Sequence, residues 1–160
     1  MARRRPFLAA VAAIVPVLMA GGLGSKATLP AIPTWYAALE KPWFTPPNWL
    51  FGPAWTLLYA LMAIAFWRIL TLDRPATDKR AAIIAFLVQI FLNGLWSFAF
   101  FGWRSPGAGL AVIAVLWLAI VATIAAFARL DRAAAWLLAP YLAWTSYAAA
   151  LNAGVFVLNR

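Results

Sequence analysis

The chain has 160 residues, of which 66% are hydrophobic and 11% are charged, with 13 Lys and Arg against 4 Asp and Glu. Soluble domains average roughly 45–50% apolar and about 25% charged residues, so this composition indicates an integral membrane protein. Cysteine and histidine are absent, which excludes disulfides, thiol nucleophiles, and metal or haem centres that need those ligands.

Five long runs without a charged residue divide the chain. Each is long enough to supply the about 20 apolar residues that cross a hydrocarbon core of ~30 Å. We therefore predict one domain, residues 1–160, folded as an all-α bundle of five transmembrane helices. The predicted spans are residues 7–24, 49–70, 81–101, 107–128 and 133–158.

The first span has two interpretations. The run "RRRPFLAAVAAIVPVLMAGGLGSKA" has a basic start, an apolar middle and a small-residue end, as a cleaved signal peptide does. Its apolar stretch of ~18 residues is longer than the usual apolar region of such a peptide, about 7–15 residues. The length favours a retained transmembrane helix, although cleavage stays open on these residues alone.

The segment between the first two spans, residues 26–48, is the only long connector. It carries five prolines and the aromatic residues Trp35, Tyr36, Trp43 and Phe44. Loops of this length in compact proteins are usually functional or disordered, and disordered segments are poor in aromatics. An ordered, functional connector is therefore predicted, with one short helical turn at "TWYAAL".

The later connectors are short, which predicts that successive helices run antiparallel. The interiors of the spans carry no ionisable side chain, whereas proton pumps and ion-coupled carriers mark their pathways with such groups. The polar residues inside the spans are uncharged. Those expected to be buried are Gln89, Asn93, Ser97, Thr145, Ser146 and Asn152.

Three helix faces combine aromatic and polar groups at helical spacing. The first face, on the third span, consists of Gln89, Asn93, Trp96 and Phe100. The second, on the second span, consists of Trp55, Tyr59 and Met62, and the third, on the fifth span, consists of Tyr141, Trp144, Ala148 and Leu151. Trp43, Trp49 and Trp103 lie at span ends and are interpreted as interfacial anchors. Trp55, Trp96 and Trp144 lie deeper, which predicts a pocket for a flat, largely apolar ligand. The alternative is that Gln89 and Asn93 only join helices.

The distribution of basic residues predicts an orientation. With five spans, one side receives Arg3, Arg4, Arg5, Arg68, Arg74, Lys79, Arg80, Arg129 and Arg132, and the other receives Lys26, Lys41, Arg104 and Arg160. Nine against four places the N-terminus in the cytoplasm. Because the basic residues are split among connectors and form no continuous stripe, no nucleic-acid partner is expected.

Three blocks in unbroken order resemble the hallmark segments of the translocator protein family, also called tryptophan-rich sensory proteins or peripheral-type benzodiazepine receptors. They are "WYAALEKPWFTPPNWLFGPAWTLLYALM", "QIFLNGLWSFAFFG" and "PYLAWTSYAAALN". The resemblance implies a five-helix bundle that retains its first helix, which removes the signal-peptide interpretation. It also implies a bacterial member that is commonly a homodimer and binds protoporphyrin IX or related tetrapyrroles and isoquinoline carboxamide drugs. The pocket would lie under the first connector, which would act as a lid.

The same resemblance assigns residues by their place in the three blocks. The implied ligand-binding set is Trp35, Tyr36, Trp55, Tyr59, Asn93, Trp96, Phe100, Trp144, Ala148 and Leu151. Sterol binding is expected to be weak. The reason is that the stretch "LNAGVFVLNR" has Ala153 and Gly154 where animal members place a tyrosine.

The preferred hypothesis is a membrane receptor or sensor for porphyrins that regulates tetrapyrrole metabolism or a stress response. Asn93 would donate a hydrogen bond and Lys41 would meet a propionate. One alternative is a light-dependent porphyrin-degrading enzyme, with Trp55 and Trp144 as the reactive residues; the chain offers no conventional catalytic group. Another is a porphyrin or sterol transporter. No covalent or metal-bound cofactor is expected, lipid is the surrounding partner, and a bacterial inner membrane is favoured over an outer one.

Overall fold

The computed structural model describes residues 6–160, and these fold into helices joined by short turns, except for the long first connector, residues 32–47. The α-helices are α1 (Pro6–Ala31), α2 (Phe51–Thr71), α3 (Ala76–Ser97), α4 (Pro106–Ala128), α5 (Arg132–Leu137) and α6 (Ala139–Leu158). Short 3₁₀ turns cover Tyr36–Ala38 and Asn48–Leu50, and a π-helical segment covers Phe98–Gly102. The predicted five membrane spans are confirmed, with α5 and α6 together forming the fifth. Arg3, Arg4 and Arg5, which contribute to the predicted orientation, lie outside the described residues.

The helices form a closed ring. Helix α1 packs against α2 and α3, α3 packs against α4, α4 packs against α5 and α6, and α5 returns to α2. Walking around the bundle, the spans therefore follow the order first, second, fifth, fourth, third. Large apolar side chains such as Leu18, Phe91 and Leu118 point outward, as expected for surfaces in contact with lipid acyl chains.

Two helix boundaries extend beyond the predicted spans. Helix α1 continues to Ala31 rather than ending near residue 24. Lys26 closes the charge-free run without ending the helix, because a lysine near the end of a span can extend its ammonium group to the interface. Helix α3 begins at Ala76 rather than near residue 81. Its first turn is charged and therefore lay outside the charge-free run, but Asp78 there is favoured by the helix dipole.

The fifth span is interrupted rather than continuous. Helix α5 ends at Leu137 and α6 begins at Ala139. Pro140 has no N–H group to offer the carbonyl of Trp136, which breaks the regular bonding pattern at this point. The predicted span 133–158 therefore has the right extent, but it consists of a short helix followed by a long one.

A stack of phenylalanine rings fills the bundle at the end opposite to the first connector. Phe66 and Phe86 have ring centroids 4.0 Å apart, and Phe86 and Phe127 have centroids 6.0 Å apart, in both cases with planes 14° apart. All three side chains are buried. This end of the bundle is therefore a packed apolar core.

An ion pair connects the end of α2 to the start of α5 on the side of the bundle opposite to the first connector. Arg68 Nε donates to Asp131 Oδ2 at 2.8 Å, while Asp131 Oδ1 accepts from the backbone N–H groups of Ala133 and Ala134. Asp131 is thus both the N-cap of α5 and the partner of an arginine on α2. The hydrogen bond from Arg68 lowers the pKa of Asp131 below its ordinary value of 3.8.

Replacing Asp131 tests this junction. Asp131→Ala removes the cap and the ion pair, so we expect the free energy of unfolding to fall by about 1–2 kcal/mol. Asp131→Asn keeps a capping oxygen and should cost less, roughly 0.2–1 kcal/mol, as for exposed ion pairs. Unfolding in mixed micelles at pH 7 gives both values.

The pH dependence provides a second check of the same junction. Because the folded pKa is lowered, the contribution of Asp131 is fully present above its unfolded pKa and is lost as the pH falls through the folded pKa. The difference between the wild type and Asp131→Asn should therefore begin to shrink below about pH 4, the range of a free aspartate, and should vanish only once the pH is below the lowered folded pKa. A difference between the two proteins that stays constant down to pH 3 would contradict this role.

Candidate ligand site beneath the first connector

Trp55 lies at the centre of an aromatic cluster in the half of the bundle nearest the first connector. Its ring centroid is 5.5 Å from Tyr59, 6.4 Å from Trp96, 6.3 Å from Tyr141 and 6.5 Å from Trp144. The cluster therefore joins α2, α3 and α6. Its ring planes meet at angles from 30° to 85°, the tilted and edge-to-face geometries that aromatic pairs favour.

A chain of three hydrogen-bonding side chains crosses the bundle beside these rings. The Tyr59 hydroxyl donates to Asn93 Oδ1 at 2.9 Å, and Asn93 Nδ2 donates to the Tyr141 hydroxyl at 2.9 Å. Asn93 is 2% exposed and Tyr141 is fully buried. The amide is thus already engaged with two tyrosines, which supports the alternative that Asn93 joins helices.

A second buried amide holds the next aromatic ring. Trp96 Nε1 donates to Asn152 Oδ1 at 3.0 Å, and Asn152 Nδ2 donates to the carbonyl of Pro106 at 2.7 Å. Gly109 on α4 leaves the space for this contact, because a Cβ there would lie 2.8 Å from Asn152 Oδ1. The orientation of the Trp96 ring is therefore fixed by α4 and α6 together.

The π-helical segment turns two consecutive aromatic residues toward the first connector. Trp35 has ring centroids 5.5 Å from Phe100 and 6.5 Å from Phe101, and Tyr36 packs against the same two rings. Phe100 also stacks on Trp96 at 5.7 Å. In a regular α-helix adjacent side chains diverge by about 100°, so the wider turn at this point is what lets both rings meet the connector.

We call residues 32–47 the lid. Its second half is attached to α6 by polar contacts: the Asn159 side chain accepts from the Glu40 N–H at 3.0 Å and donates to the Glu40 carbonyl at 2.8 Å. The Tyr147 hydroxyl donates to the carbonyl of Phe44. Pro42 covers Gly154 so closely that a Cβ at that glycine would overlap the proline ring.

Two lid residues combine charge and aromatic surface. Lys41 Nζ lies 4.8 Å from the Tyr36 ring centroid and donates to the carbonyls of Leu39 at 3.0 Å and Ala37 at 3.4 Å. Burial raises the pKa of Tyr36 above its ordinary value of 10.0. Tyr36 therefore stays neutral at physiological pH, and the ammonium of Lys41 is the cation of this part of the lid.

Three buried polar side chains on α3 and α6 lack a hydrogen-bond partner among residues 6–160, and the hydroxyl of Thr145 is one of them. Trp144 Nε1 is a buried donor, and both polar atoms of the Gln89 amide are buried. Such groups are rare in folded proteins and are costly in an apolar interior. Trp144 Nε1 belongs to a ring that contacts Trp55, Phe51 and Tyr147, so this N–H group is available inside the aromatic cluster.

The structure brings the predicted site residues together on the same side of the bundle. The cluster contains five of them: Trp55, Tyr59, Asn93, Trp96 and Trp144. Phe100 connects the cluster to Trp35 and Tyr36 in the lid. The remaining two, Ala148 and Leu151, are buried on α6 beyond Trp144. Trp43, Trp49 and Trp103 are exposed, as predicted for anchors.

The implied ligand-binding set did not include four residues that complete the cluster: Phe51, Tyr141, Tyr147 and Asn152. Tyr141 was predicted on the third aromatic face, and Asn152 among the polar residues of the spans, but neither was assigned to the site. Helical spacing could have found three of them, because they lie three residues before, three residues after and eight residues after Trp144 on α6. Phe51 precedes Trp55 by one turn and could have been found in the same way.

Comparison with known proteins gives consistent results. A family model described as the TspO/MBR family matches residues 12–158. Tryptophan-rich protein TspO of Archaeoglobus fulgidus is 44% identical over 149 residues, which cover 93% of this chain and 95% of that protein. The tryptophan-rich sensory protein of Cereibacter sphaeroides is 41% identical over 78% of this chain and 77% of its own. The translocator protein of Sus scrofa is 34% identical over 97% and 92%, respectively.

Replacing Asn93 by leucine tests whether its amide stabilises the bundle. Asn93→Leu leaves the hydroxyls of Tyr59 and Tyr141 without their partner, so we expect the free energy of unfolding to fall by about 1–3 kcal/mol. Gln89→Leu is the matched control one turn away, because it removes an amide with no described partner and should be neutral or stabilising. Equal losses in the two variants, measured by unfolding in mixed micelles, would contradict the role of the amide chain.

Proposed function

The chain belongs to the TspO/MBR family, and we propose that it is a membrane sensor that binds porphyrins such as protoporphyrin IX in the aromatic cluster beneath the lid. Family membership supports the coarser statement, a membrane protein with a sensor or translocator role. The porphyrin assignment rests on the site itself. The observation that carries it is the cluster of Trp, Tyr and Phe rings around Trp55, roofed by Trp35 and Tyr36.

The cluster suits a flat, apolar ligand with few polar groups. Tryptophan and tyrosine rings offer large planar surfaces, and a ligand inserted between them replaces ring–ring contacts with ring–ligand contacts of the same kind. Trp55 and Trp96 have planes only 34° apart, so a planar molecule can enter between them after a modest separation. The unpartnered Nε1 of Trp144 supplies a donor for a polar atom of that ligand.

The lid supplies the polar side of the site. A porphyrin carries carboxylates, which prefer a cation near water. Lys41 lies in the lid, and its ammonium group has three N–H donors. Two of them bind carbonyl groups, so the third remains for a carboxylate. Entry from this side requires release of the contacts at Glu40 and Phe44. Those contacts are a few hydrogen bonds together with the packing of Pro42 and Phe44 on α6. The opposite end of the bundle is filled by the stack of Phe66, Phe86 and Phe127. This asymmetry favours binding and sensing over passage through the bundle.

A dark titration of the purified protein with protoporphyrin IX tests this proposal. We expect saturable quenching of tryptophan fluorescence. Trp55→Phe and Trp144→Phe should weaken binding by roughly two- to tenfold, the equivalent of one aromatic contact. Trp103→Phe is the matched control, since it makes the same substitution at an exposed tryptophan outside the cluster.

Equal quenching in all four proteins, or quenching that does not saturate, would overturn the porphyrin site. Weakening in Trp103→Phe of the same size as in Trp144→Phe would show that the effect comes from general membrane partitioning of the porphyrin.

A second candidate function is light-dependent oxidation of the bound porphyrin. It is favoured by the proximity of oxidisable rings: Trp55 lies 6.5 Å from Trp144, which lies 5.6 Å from Tyr147. The excited pigment and dioxygen would carry out the chemistry, and the protein would position the pigment and exchange electrons with it. Illumination of the same samples distinguishes the two functions. A sensor leaves the absorption bands of the porphyrin intact, whereas an enzyme bleaches them faster in the wild type than in Trp144→Phe.

We also propose that the N-terminus and the α2–α3 connector face the cytoplasm of a bacterial inner membrane. Among the described residues, six basic side chains lie on the side of that connector and four on the lid side. The six are Arg68, Arg74, Lys79, Arg80, Arg129 and Arg132, and the four are Lys26, Lys41, Arg104 and Arg160. The bias agrees with a lid that faces away from the cytoplasm.

Because the chain contains no cysteine, single cysteines report this orientation directly. Asn48→Cys on the lid side should react with a membrane-impermeant maleimide in intact spheroplasts. Ala76→Cys should react only after the membrane is opened. Both positions are exposed ends of helices, so neither substitution should disturb the fold. The reverse labelling pattern would place the lid in the cytoplasm.

A further inference from the structure

We propose that a groove on the lipid-facing side, between α2 and the fifth span, is a binding site for one anionic phospholipid. The groove has a volume of about 620 Å³ and is lined by Leu61, Ile64, Arg68, Ala133, Trp136, Leu137 and Pro140. It shares no residue with the aromatic cluster. It is therefore a second site, independent of the proposed porphyrin function.

The shape of the groove follows from two facing helical stripes. The stripe on α2 consists of Leu61, Ile64 and Arg68, which are three and four residues apart. The stripe on the fifth span consists of Ala133, Trp136, Leu137 and Pro140, which are also spaced at helical intervals. The interruption at Leu138 and Pro140 places α5 against α2 while α6 packs mainly against α4. An open cleft between the two spans results.

The groove combines an apolar wall with one cationic end. Except for Arg68, its lining side chains are aliphatic, aromatic or proline. Arg68 lies three residues before the end of α2, and the exposed Trp136 lies in the short α5, so both belong at the level of the lipid headgroups. From Arg68 to Leu61 the helix descends about 10 Å into the hydrocarbon, the direction in which an acyl chain runs.

The charge at the headgroup end favours a phosphate. Arg68 donates its Nε to Asp131, and its side chain is 41% exposed, so the outer part of the guanidinium faces the groove mouth. Arg129 and Arg132 flank Asp131 in the sequence and are exposed. Arg129 and Arg132 do not line the groove, but together with Arg68 they outnumber Asp131 by two positive charges at this end of it. Arginine binds phosphate oxygens in a planar, two-point geometry. A neutral sterol would leave that charge unused.

The test compares phosphatidylglycerol with phosphatidylcholine of identical acyl chains, added to the full-length protein in detergent and counted by native mass spectrometry. We expect one phosphatidylglycerol per chain to be retained preferentially over phosphatidylcholine. Arg68→Gln should reduce that preference about fivefold, the effect of one arginine near an anionic lipid. Ile64→Trp fills the groove at a position that is 48% exposed, so it should abolish retention while the protein stays folded.

Arg74→Gln is the matched control, because Arg74 is an exposed arginine on the same side of the membrane and does not line the groove. An equal loss in Arg74→Gln and Arg68→Gln would overturn the site in favour of diffuse surface attraction. Equal retention of the two lipids, or full retention by Ile64→Trp, would also overturn it. A wild-type dimer that becomes monomeric in Ile64→Trp would assign the groove to a second copy of the chain and overturn the lipid proposal.

Discussion

The position of the aromatic cluster depends on the buried amide of Asn93. In hydrocarbon an amide without partners is costly, so the helices around it must present matching groups, and the hydroxyls of Tyr59 and Tyr141 do so from α2 and α6. These two bonds fix the rotation of both helices relative to α3. Trp55 lies one turn before Tyr59, and Trp144 lies three residues after Tyr141, so the same rotation brings their rings together. Helix association in membranes gains little from the hydrophobic effect, which makes such directional contacts decisive.

Much of the fold could be predicted from the sequence because the membrane imposes a simple rule. A span must be apolar for about 20 residues, so charge-free runs indicate where the helices lie. The polar and aromatic residues that recur at helical intervals around Trp55, Asn93 and Trp144 indicate which face of each helix points inward. The ends of the helices were harder to predict. Charged side chains are tolerated at headgroup level, and the first turn of α3 therefore extended beyond the charge-free run. Lys79 shows why: it is buried, yet its ammonium donates to the carbonyls of Leu70 and Leu72 at the end of α2.

The details of the site were less predictable because they depend on contacts between distant segments. Nothing in the local sequence "SFAFFG" indicates that the helix widens into a π turn, since that geometry is stabilised by Trp35 and Tyr36, which are more than 60 residues away. The engagement of Asn93 with two tyrosines could not be deduced either, because an isolated helix shows which groups face inward but not which of them meet. Only the closed ring of five spans determines those pairs.

The described interior contains neutral polar groups, and this limits the kind of signal that the protein can transmit. Asparagine, tyrosine and tryptophan side chains supply the hydrogen bonds of the cluster, whereas the ion pair of Arg68 and Asp131 lies near the membrane surface. Under the proposed function, a ligand in the cluster would therefore act through packing contacts, because the cluster contains, among the described residues, no carboxylate or ammonium group of the kind that marks ion pathways. The lid is the element best suited to change, because its second half is held by a small number of contacts at Glu40, Pro42 and Phe44. A ligand that separates Trp55 from Trp96 also disturbs Phe100 and, through it, Trp35 and Tyr36. Under the proposed function, occupancy of the buried site would reach the membrane surface through this continuous series of ring contacts.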